Sequence, residues 1–196
     1  MKKLALLCSS LLLPLLSSSS LADTPATHRI DPAKVLSVVT SDWNDDGGMD
    51  RAVLVEPSAP DEDDAGLYLY LSGESPNDLK LALFKPNFIW SGSLWGTLPS
   101  LALNKAKSLE IRSMNEGIGR HRWSRTLTVA YRNKAFVVAG YTYQAYDTLS
   151  PDSALQCDIN LLTGKGIKND QPVKIAPSVV TLADWSEQSA PAICQE

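Results

Sequence analysis

The sequence predicts a mainly β, antiparallel domain, built as a sandwich or a curled sheet with little helix. Residues 67–71 (Leu-Tyr-Leu-Tyr-Leu) form a continuous hydrophobic and aromatic run, which is typical of a buried strand. Residues 126–131 alternate between polar and apolar side chains, as a half-buried strand does. Between two such segments, Arg132-Asn133-Lys134 predicts a hairpin connection, because Asn tolerates a positive φ.

Eight segments are predicted as strands, and helix is predicted at only two places. The strand candidates are residues 35–39, 52–55, 67–71, 79–84, 109–113, 125–132, 134–144 and 157–161. Gly140 lies inside one of them and predicts a bulge or a close backbone approach. Short helices are predicted within residues 94–106 and 183–188, and residues 163–166 predict a turn before a polar stretch.

The N-terminus predicts export. Lys2 and Lys3 precede a mainly apolar run over residues 4–16, and residues 20–22 place small side chains at a cleavage site after Ala22. The apolar run is short and contains Pro14, so it predicts a cleaved leader over residues 1–22 and no membrane-spanning segment. The remaining residues, 23–196, predict a single domain in the periplasm or outside the cell.

Charge and cysteine content limit the partners and the compartment. The net charge is −4, and removal of the leader, with its two lysines and no acids, makes it −6. This acidic balance argues against nucleic acid as a partner. Only Cys157 and Cys194 remain after cleavage, and an even pair in an oxidising compartment predicts a disulfide.

Residues 42–50 have the spacing of a calcium-binding loop. Oxygen donors stand at relative positions one, three, five and nine: Asp42, Asn44, Asp46 and Asp50. Gly47 at position six allows a sharp turn, so that Gly48 can offer its carbonyl oxygen. The pattern predicts a bound calcium ion. The alternative is a solvated acidic turn between two strands, since Asp, Asn and Gly are also turn residues.

The segment after the loop distinguishes between two families that the loop resembles. Position twelve is Val53, whereas an EF-hand has a bidentate Glu there and then a helix. Residues 51–55 instead predict a strand. An Asp-x-Asn-x-Asp-Gly-x-x-Asp loop leading into an apolar strand resembles the FG-GAP/VCBS type of repeat. The likeness covers about twenty residues, 35–55, in a single copy, whereas a propeller needs several blades. The resemblance implies a calcium-stabilised β-connection and no complete propeller.

Two other charged stretches are candidates for binding. Residues 58–64 are an acidic loop that predicts a solvated tip, with a lesser prospect of lending oxygens to an ion. Arg120, Arg122, Trp123 and Arg125 form a basic patch that could bind an acidic polymer, a glycan or an anionic protein. Alternatively, these arginines pair with acidic loops and cover apolar surface with their stems.

No catalytic motif stands out, so two functions of different classes remain. The first is a noncatalytic exported β-domain with a structural calcium, which acts in binding an unknown envelope protein or glycan, or in envelope maintenance. The second is an envelope hydrolase that acts on glycan or peptide through carboxylates such as Asp147, Asp152 or Asp158. Trp90 and Trp95 predict core packing, with sugar stacking as the alternative for one of them.

Overall fold

The computed structural model describes residues 29–57, 64–73 and 78–195. The predicted leader, residues 1–22, lies outside this range. Residues 58–63, which are most of the acidic loop, also lie outside it. So do residues 74–77.

Twelve strands are present in the described part of the chain. They are β1 (Val35–Ser41), β2 (Asp50–Val55), β3 (Asp64–Ser72), β4 (Leu79–Trp90), β5 (Ser100–Leu103), β6 (Leu109–Asn115), β7 (His121–Arg132), β8 (Ala135–Asp147), β9 (Ser150–Asn160), β10 (Lys165–Lys168), β11 (Gln171–Lys174) and β12 (Val180–Thr181). Three short 3₁₀ helices cover Pro32–Lys34, Glu187–Ser189 and Ala192–Cys194. All eight predicted strands are therefore confirmed, although most extend further than predicted.

The strands form two antiparallel sheets, which confirms the mainly β sandwich. The small sheet has the order β1-β2-β3-β4, and the large sheet has the order β11-β10-β9-β8-β7-β6-β5, with β12 added to β8. Apolar side chains from both sheets are fully buried between them, among them Leu54, Leu67 and Leu69 from the small sheet and Leu127, Val129 and Ile159 from the large one. The alternation in the sequence places these side chains on one face of each strand.

The two local backbone predictions are confirmed. Asn133 has a φ of +51° in the connection between β7 and β8. Beside Gly140, the register shifts, so that Thr128 pairs with Gly140 while Val129 pairs with Val138. This shift is the β-bulge that the glycine predicted.

The helix predicted within residues 94–106 is wrong. The segment contains β5, which pairs with β6, and its Leu101 is buried against the core. Before the strand, the Thr97 hydroxyl donates to the Leu94 carbonyl at 2.5 Å, and Gly96 has a φ of +79°. This side-chain turn gives the backbone an alternative to helical hydrogen bonds. In the second predicted helix, around residues 183–188, only the 3₁₀ helix Glu187–Ser189 forms.

The hairpin of β10 and β11 was not predicted. Its strands are polar and largely exposed on both faces, so the sequence has no two-residue hydrophobic period there. Asn169 and Asp170 turn the chain with φ values of +46° and +62°. These angles match the turn type that joins two-residue hairpins.

The C-terminal segment, residues 182–195, covers inner surface of the large sheet. The Leu182 N–H donates to the Phe136 carbonyl, the Trp185 ring lies 6.1 Å from that of Tyr141, and Cys194 is bonded to Cys157 on β9. On its other side, Lys85 Nζ of β4 donates to the carbonyls of Ala183 and Trp185 at 2.7 Å. The predicted disulfide is thus confirmed, and it ties this segment to the sheet.

Candidate functional site

The predicted calcium loop joins β1 to β2 and curls around its own side chains. Asp42 accepts hydrogen bonds from the N–H groups of Asp46, at 3.2 Å, and Gly47, at 2.9 Å. The Asn44 carbonyl oxygen accepts from the same Asp46 N–H at 3.2 Å. Asp42 and Asn44 therefore direct oxygens toward one point of the backbone, the N–H of Asp46.

Asp50 closes the loop from the buried side. Its side chain is fully buried, and it accepts from the N–H groups of Trp43 and Ser72, both at 2.8 Å. Within the described ranges, its carboxylate forms no ion pair with a Lys, Arg or His side chain. A carboxylate out of water without a cationic partner carries a large desolvation cost, which hydrogen bonds to it offset only in part.

Ser72, at the end of β3, belongs to this site although no sequence pattern indicated it. Its hydroxyl lies 3.0 and 3.2 Å from the two oxygens of Asp46 and 3.2 Å from Oδ1 of Asp50. Antiparallel pairing of β2 with β3 brings the residue there, across 22 positions of sequence. Motif spacing could not have identified it, because the contact depends on strand register.

Two glycines let the loop approach Ser72. Gly47 has a φ of +86°, in the region that favours glycine. A Cβ on Gly48 would stand 2.2 Å from Ser72 Oγ and 2.5 Å from Ser72 Cβ, so only glycine fits there. The Gly48 N–H donates to Asp46 at 2.7 Å, and this bond, with those from Asn44 and Ser72, holds the pKa of Asp46 below its usual value. Asp46 is therefore ionised at neutral pH.

The donor chemistry of the loop suits a hard cation. The loop and Ser72 supply carboxylate, amide and hydroxyl oxygens, and each carboxylate has about four lone-pair sites, more than its N–H contacts occupy. In the conformation described, however, no three Asp, Glu, His or Cys side chains of the described residues gather as a metal-binding group. The side-chain types thus fit calcium, while the carboxylates bond mainly to backbone N–H groups.

The basic patch lies at the opposite end of the sandwich and is divided by the fold. Arg120 forms an ion pair with Asp147 at 2.8 Å, and Arg125 forms one with Glu187. Along β7, Arg125 and Trp123 share one face, while Arg122 lies on the other. The Arg122 guanidinium has a buried nitrogen with no hydrogen-bond partner among the described residues. Two of the three arginines pair with acids, but with acids outside the loop of residues 58–64.

Beside Trp123 lies a cavity of about 500 Å³ between the large sheet and the C-terminal segment. Its lining includes three aromatic rings and several hydrogen-bonding side chains: Trp123, Tyr141, Tyr143, Arg125, Glu187 and Gln188. The Trp123 ring packs against Trp90 with centroids 5.4 Å apart, so Trp90 supports it. Trp95 lies elsewhere, on the loop between β4 and β5, and is 93% exposed, so the prediction that it packs in the core is wrong.

Of the three acids proposed for catalysis, Asp147 and Asp158 are not brought together as a pair. Asp158 lies beside Thr142 on β8, whereas Asp147 lies five residues further along that strand, about 16 Å away at the rise of a β-strand. Paired glycosidase carboxylates stand about 5–9.5 Å apart. The hydrogen bond from Arg120 also lowers the pKa of Asp147, which disfavours it as a proton donor. Asp152 is exposed on β9.

No family model, curated protein or solved structure matches this chain. Among the described residues, none of the helical segments has the length and apolar character of a membrane span.

Proposed function

We propose that this chain is an exported, noncatalytic β-domain that binds an envelope glycan or protein and is stabilised by a calcium ion at residues 42–50. The observation that carries the calcium part is the crowding of carboxylate oxygens around Ser72. One hydroxyl, with one hydrogen to donate, lies within 3.2 Å of three oxygens from Asp46 and Asp50. Like charges this close favour either a bound cation or a proton.

The proton is the less suitable of the two at neutral pH. Three hydrogen bonds lower the pKa of Asp46, which keeps it ionised. A divalent cation would neutralise the crowded carboxylates without protonating them. Asp42, Asn44, Asp46 and Asp50 would hold the ion, with the carbonyl of Gly48, and the ion would fix the connection between β1 and β2.

Export is supported by two features of the chain. The N-terminal pattern of residues 1–22 is that of a cleaved leader. The disulfide between Cys157 and Cys194 suits an oxidising compartment, where such bonds persist.

A binding role is favoured over hydrolysis by the placement of Asp147 and Asp158. Asp147 is held by Arg120 and stands too far from Asp158 for the two to act on one glycosidic bond. Trp123, Arg125 and the two tyrosines instead line a cavity of a size used for ligand binding.

Calcium-dependent melting of the mature protein tests the calcium part. Ligand that binds only the folded state stabilises it by about 2.7 kcal/mol at a hundredfold excess over Kd. We expect calcium to raise the melting temperature of the wild type and of Asp45→Asn, which removes an exposed charge of the same loop outside the ligand set. Asp46→Asn should lose most of the response. An equal response in both variants would refute the assignment of ligands.

Capture from periplasmic extract tests the binding part. The mature protein, immobilised with calcium present, should retain the same protein or glycan from repeated extracts, and chelation should weaken retention as the fold loosens. Calcium-dependent turnover of an envelope polysaccharide or peptide would contradict the noncatalytic proposal and favour the hydrolase.

A further inference from the structure

The cavity beside Trp123 exists because the C-terminal segment stands over the large sheet without filling the space beneath it. Tyr141 and Tyr143 on β8 form one wall, with ring planes 23° apart and centroids 6.4 Å apart. Glu187 and Gln188 border it from the C-terminal segment, which Cys194 ties to Cys157. The Glu187 side chain is 64% exposed, so the cavity is accessible from its side.

Aromatic rings supply the apolar part of the site. The negative face of an aromatic ring attracts groups with positively polarised hydrogens, including the C–H face of a sugar ring. Trp123 is only half-buried and is supported by Trp90, so its indole can act as a fixed platform. The Arg125 guanidinium lies 5.9 Å from the centre of that indole, next to the same surface.

Hydrogen-bonding groups surround these rings. The Arg125 Nε is buried and has no hydrogen-bond partner among the described residues, while another nitrogen of the same guanidinium bonds to Glu187. Burial raises the pKa of Tyr141 to about 12, so its hydroxyl stays protonated at neutral pH. The wall therefore offers both donors and acceptors close to apolar ring faces, which is the combination that small-molecule sites use.

The charge of the cavity limits its ligand. Arg125 and Glu187 are the charged side chains among its described lining residues, and each compensates the other. An anionic ligand would have to displace Glu187, and a cationic one would have to displace Arg125. A neutral, hydroxyl-rich ligand can instead bond to both members of the pair without breaking it.

We propose that this cavity binds a neutral saccharide, with a sugar ring against Trp123 and hydroxyl groups on the Arg125–Glu187 pair. Its volume of about 500 Å³ lies within the range of ligand sites and admits a short saccharide. The inference rests on the proposed binding function for its biological meaning, but on no property of the loop at residues 42–50.

Calorimetric titration of the mature protein, with calcium present throughout, tests the proposal. The neutral probes are maltotriose, cellotriose and triacetylchitotriose, with trigalacturonate as the anionic comparator. At least one neutral trisaccharide should bind in the millimolar range or tighter. Trp123→Ala should weaken the binding of that trisaccharide about tenfold. Trp95→Ala removes an exposed indole outside the cavity and should leave binding unchanged.

A charge variant keeps the test decisive even if Trp123→Ala fails to fold. Glu187→Gln alters an exposed side chain and leaves Arg125 uncompensated. This variant should bind the neutral trisaccharide about tenfold more weakly and trigalacturonate about tenfold more tightly. No binding of any neutral trisaccharide, or an unchanged preference in Glu187→Gln, would overturn the proposal.

The same samples separate this result from the calcium test. A melting response to calcium without saccharide binding would remove the proposed ligand and leave the loop assignment intact. Saccharide binding without a melting response to calcium would remove the calcium assignment of the loop and leave the saccharide proposal intact.

Discussion

The two ends of the sandwich handle polar groups in different ways. At one end, the loop of residues 42–50 satisfies its carboxylates with N–H groups mostly from the same loop, two to seven residues away. At the other end, the ion pair of Arg125 with Glu187 joins residues 62 positions apart. There, Arg122 and Arg125 each retain a buried nitrogen without a partner among the described residues. Local sequence thus builds the first end, whereas chain packing assembles the second.

This difference suggests different roles for the two ends. A closed, locally bonded loop fixes the connection between two strands, and its changes should appear as changes in stability. An assembled cavity lined by aromatic rings and hydrogen-bonding side chains is suited to binding. Variants at the two ends should therefore separate stability from binding.

The largest effect on stability should come from removing the tie that holds the cavity together. Cys157→Ala combined with Cys194→Ala opens a loop with a sequence separation of 37, and should reduce the free energy of unfolding by about 3–4 kcal/mol. Urea denaturation measures it, and reduced wild type is the control. A loss below about 1 kcal/mol would mean that packing alone holds the C-terminal segment.

Asp50→Ala should be the most damaging single change at the loop end. It leaves the buried N–H groups of Trp43 and Ser72 without their acceptor, at a cost of about 3 kcal/mol. Asp45→Asn is the matched control, since it lies exposed in the same loop and should change stability by less than about 0.5 kcal/mol. Equal effects of the two variants in denaturant titrations would contradict the structural role of Asp50.

Gly48→Ala should have a smaller effect at the same place. The new Cβ would lie 2.5 Å from Ser72 Cβ, so the loop must move away from β3, at about 1–3 kcal/mol. Gly47→Asn is the comparison, because nothing lies within 4 Å of a Cβ there and Asn tolerates a positive φ. Thermal melting should rank Gly48→Ala as the less stable variant, and the reverse order would exclude the close approach to Ser72.

The smallest effect should be the pH dependence of Asp46 in calcium-free protein. Its folded pKa lies below the ordinary 3.8, so its contribution to stability is present above that pH and is lost as pH falls through the lowered pKa. The melting temperatures of wild type and Asp46→Asn should therefore converge as the pH falls below 3.8 and through the lowered pKa of Asp46. A difference that widens on acidification would mean that the hydrogen bonds to Asp46 do not favour its ionised form.

Much of the fold could be predicted because its signals are local. The continuous apolar and aromatic run of β3 and the two-residue period of β7 predicted these strands, and Gly140 predicted the bulge beside it. The segment around Leu101 was predicted as helix. Its strand has only four residues, which is too few for a two-residue alternation to be recognised within an apolar segment. The polar hairpin of β10 and β11 lacked any such period, so nothing in its sequence distinguished it from a loop.

The candidate sites divide in the same way. The spacing of Asp42, Asn44, Asp46 and Asp50 predicted calcium ligands. The two cysteines of residues 23–196 predicted a disulfide, and the structure confirms this disulfide. The contact of Ser72 with Asp46 and Asp50 depended on the register of β2 with β3. The sequence placed Trp123 and Arg125 in a basic patch but did not indicate Glu187 as a partner.

By itself, the sequence determined eight of the strands, the position of the loop at residues 42–50 and which cysteines can pair. These properties depend on the period of side chains along a strand and on a short ligand spacing, both of which act over a few residues. Only the tertiary structure decided that Ser72 completes the loop and that the C-terminal segment leaves a cavity beside Trp123. Such contacts depend on strand register and on how one layer covers another, and a local pattern encodes neither.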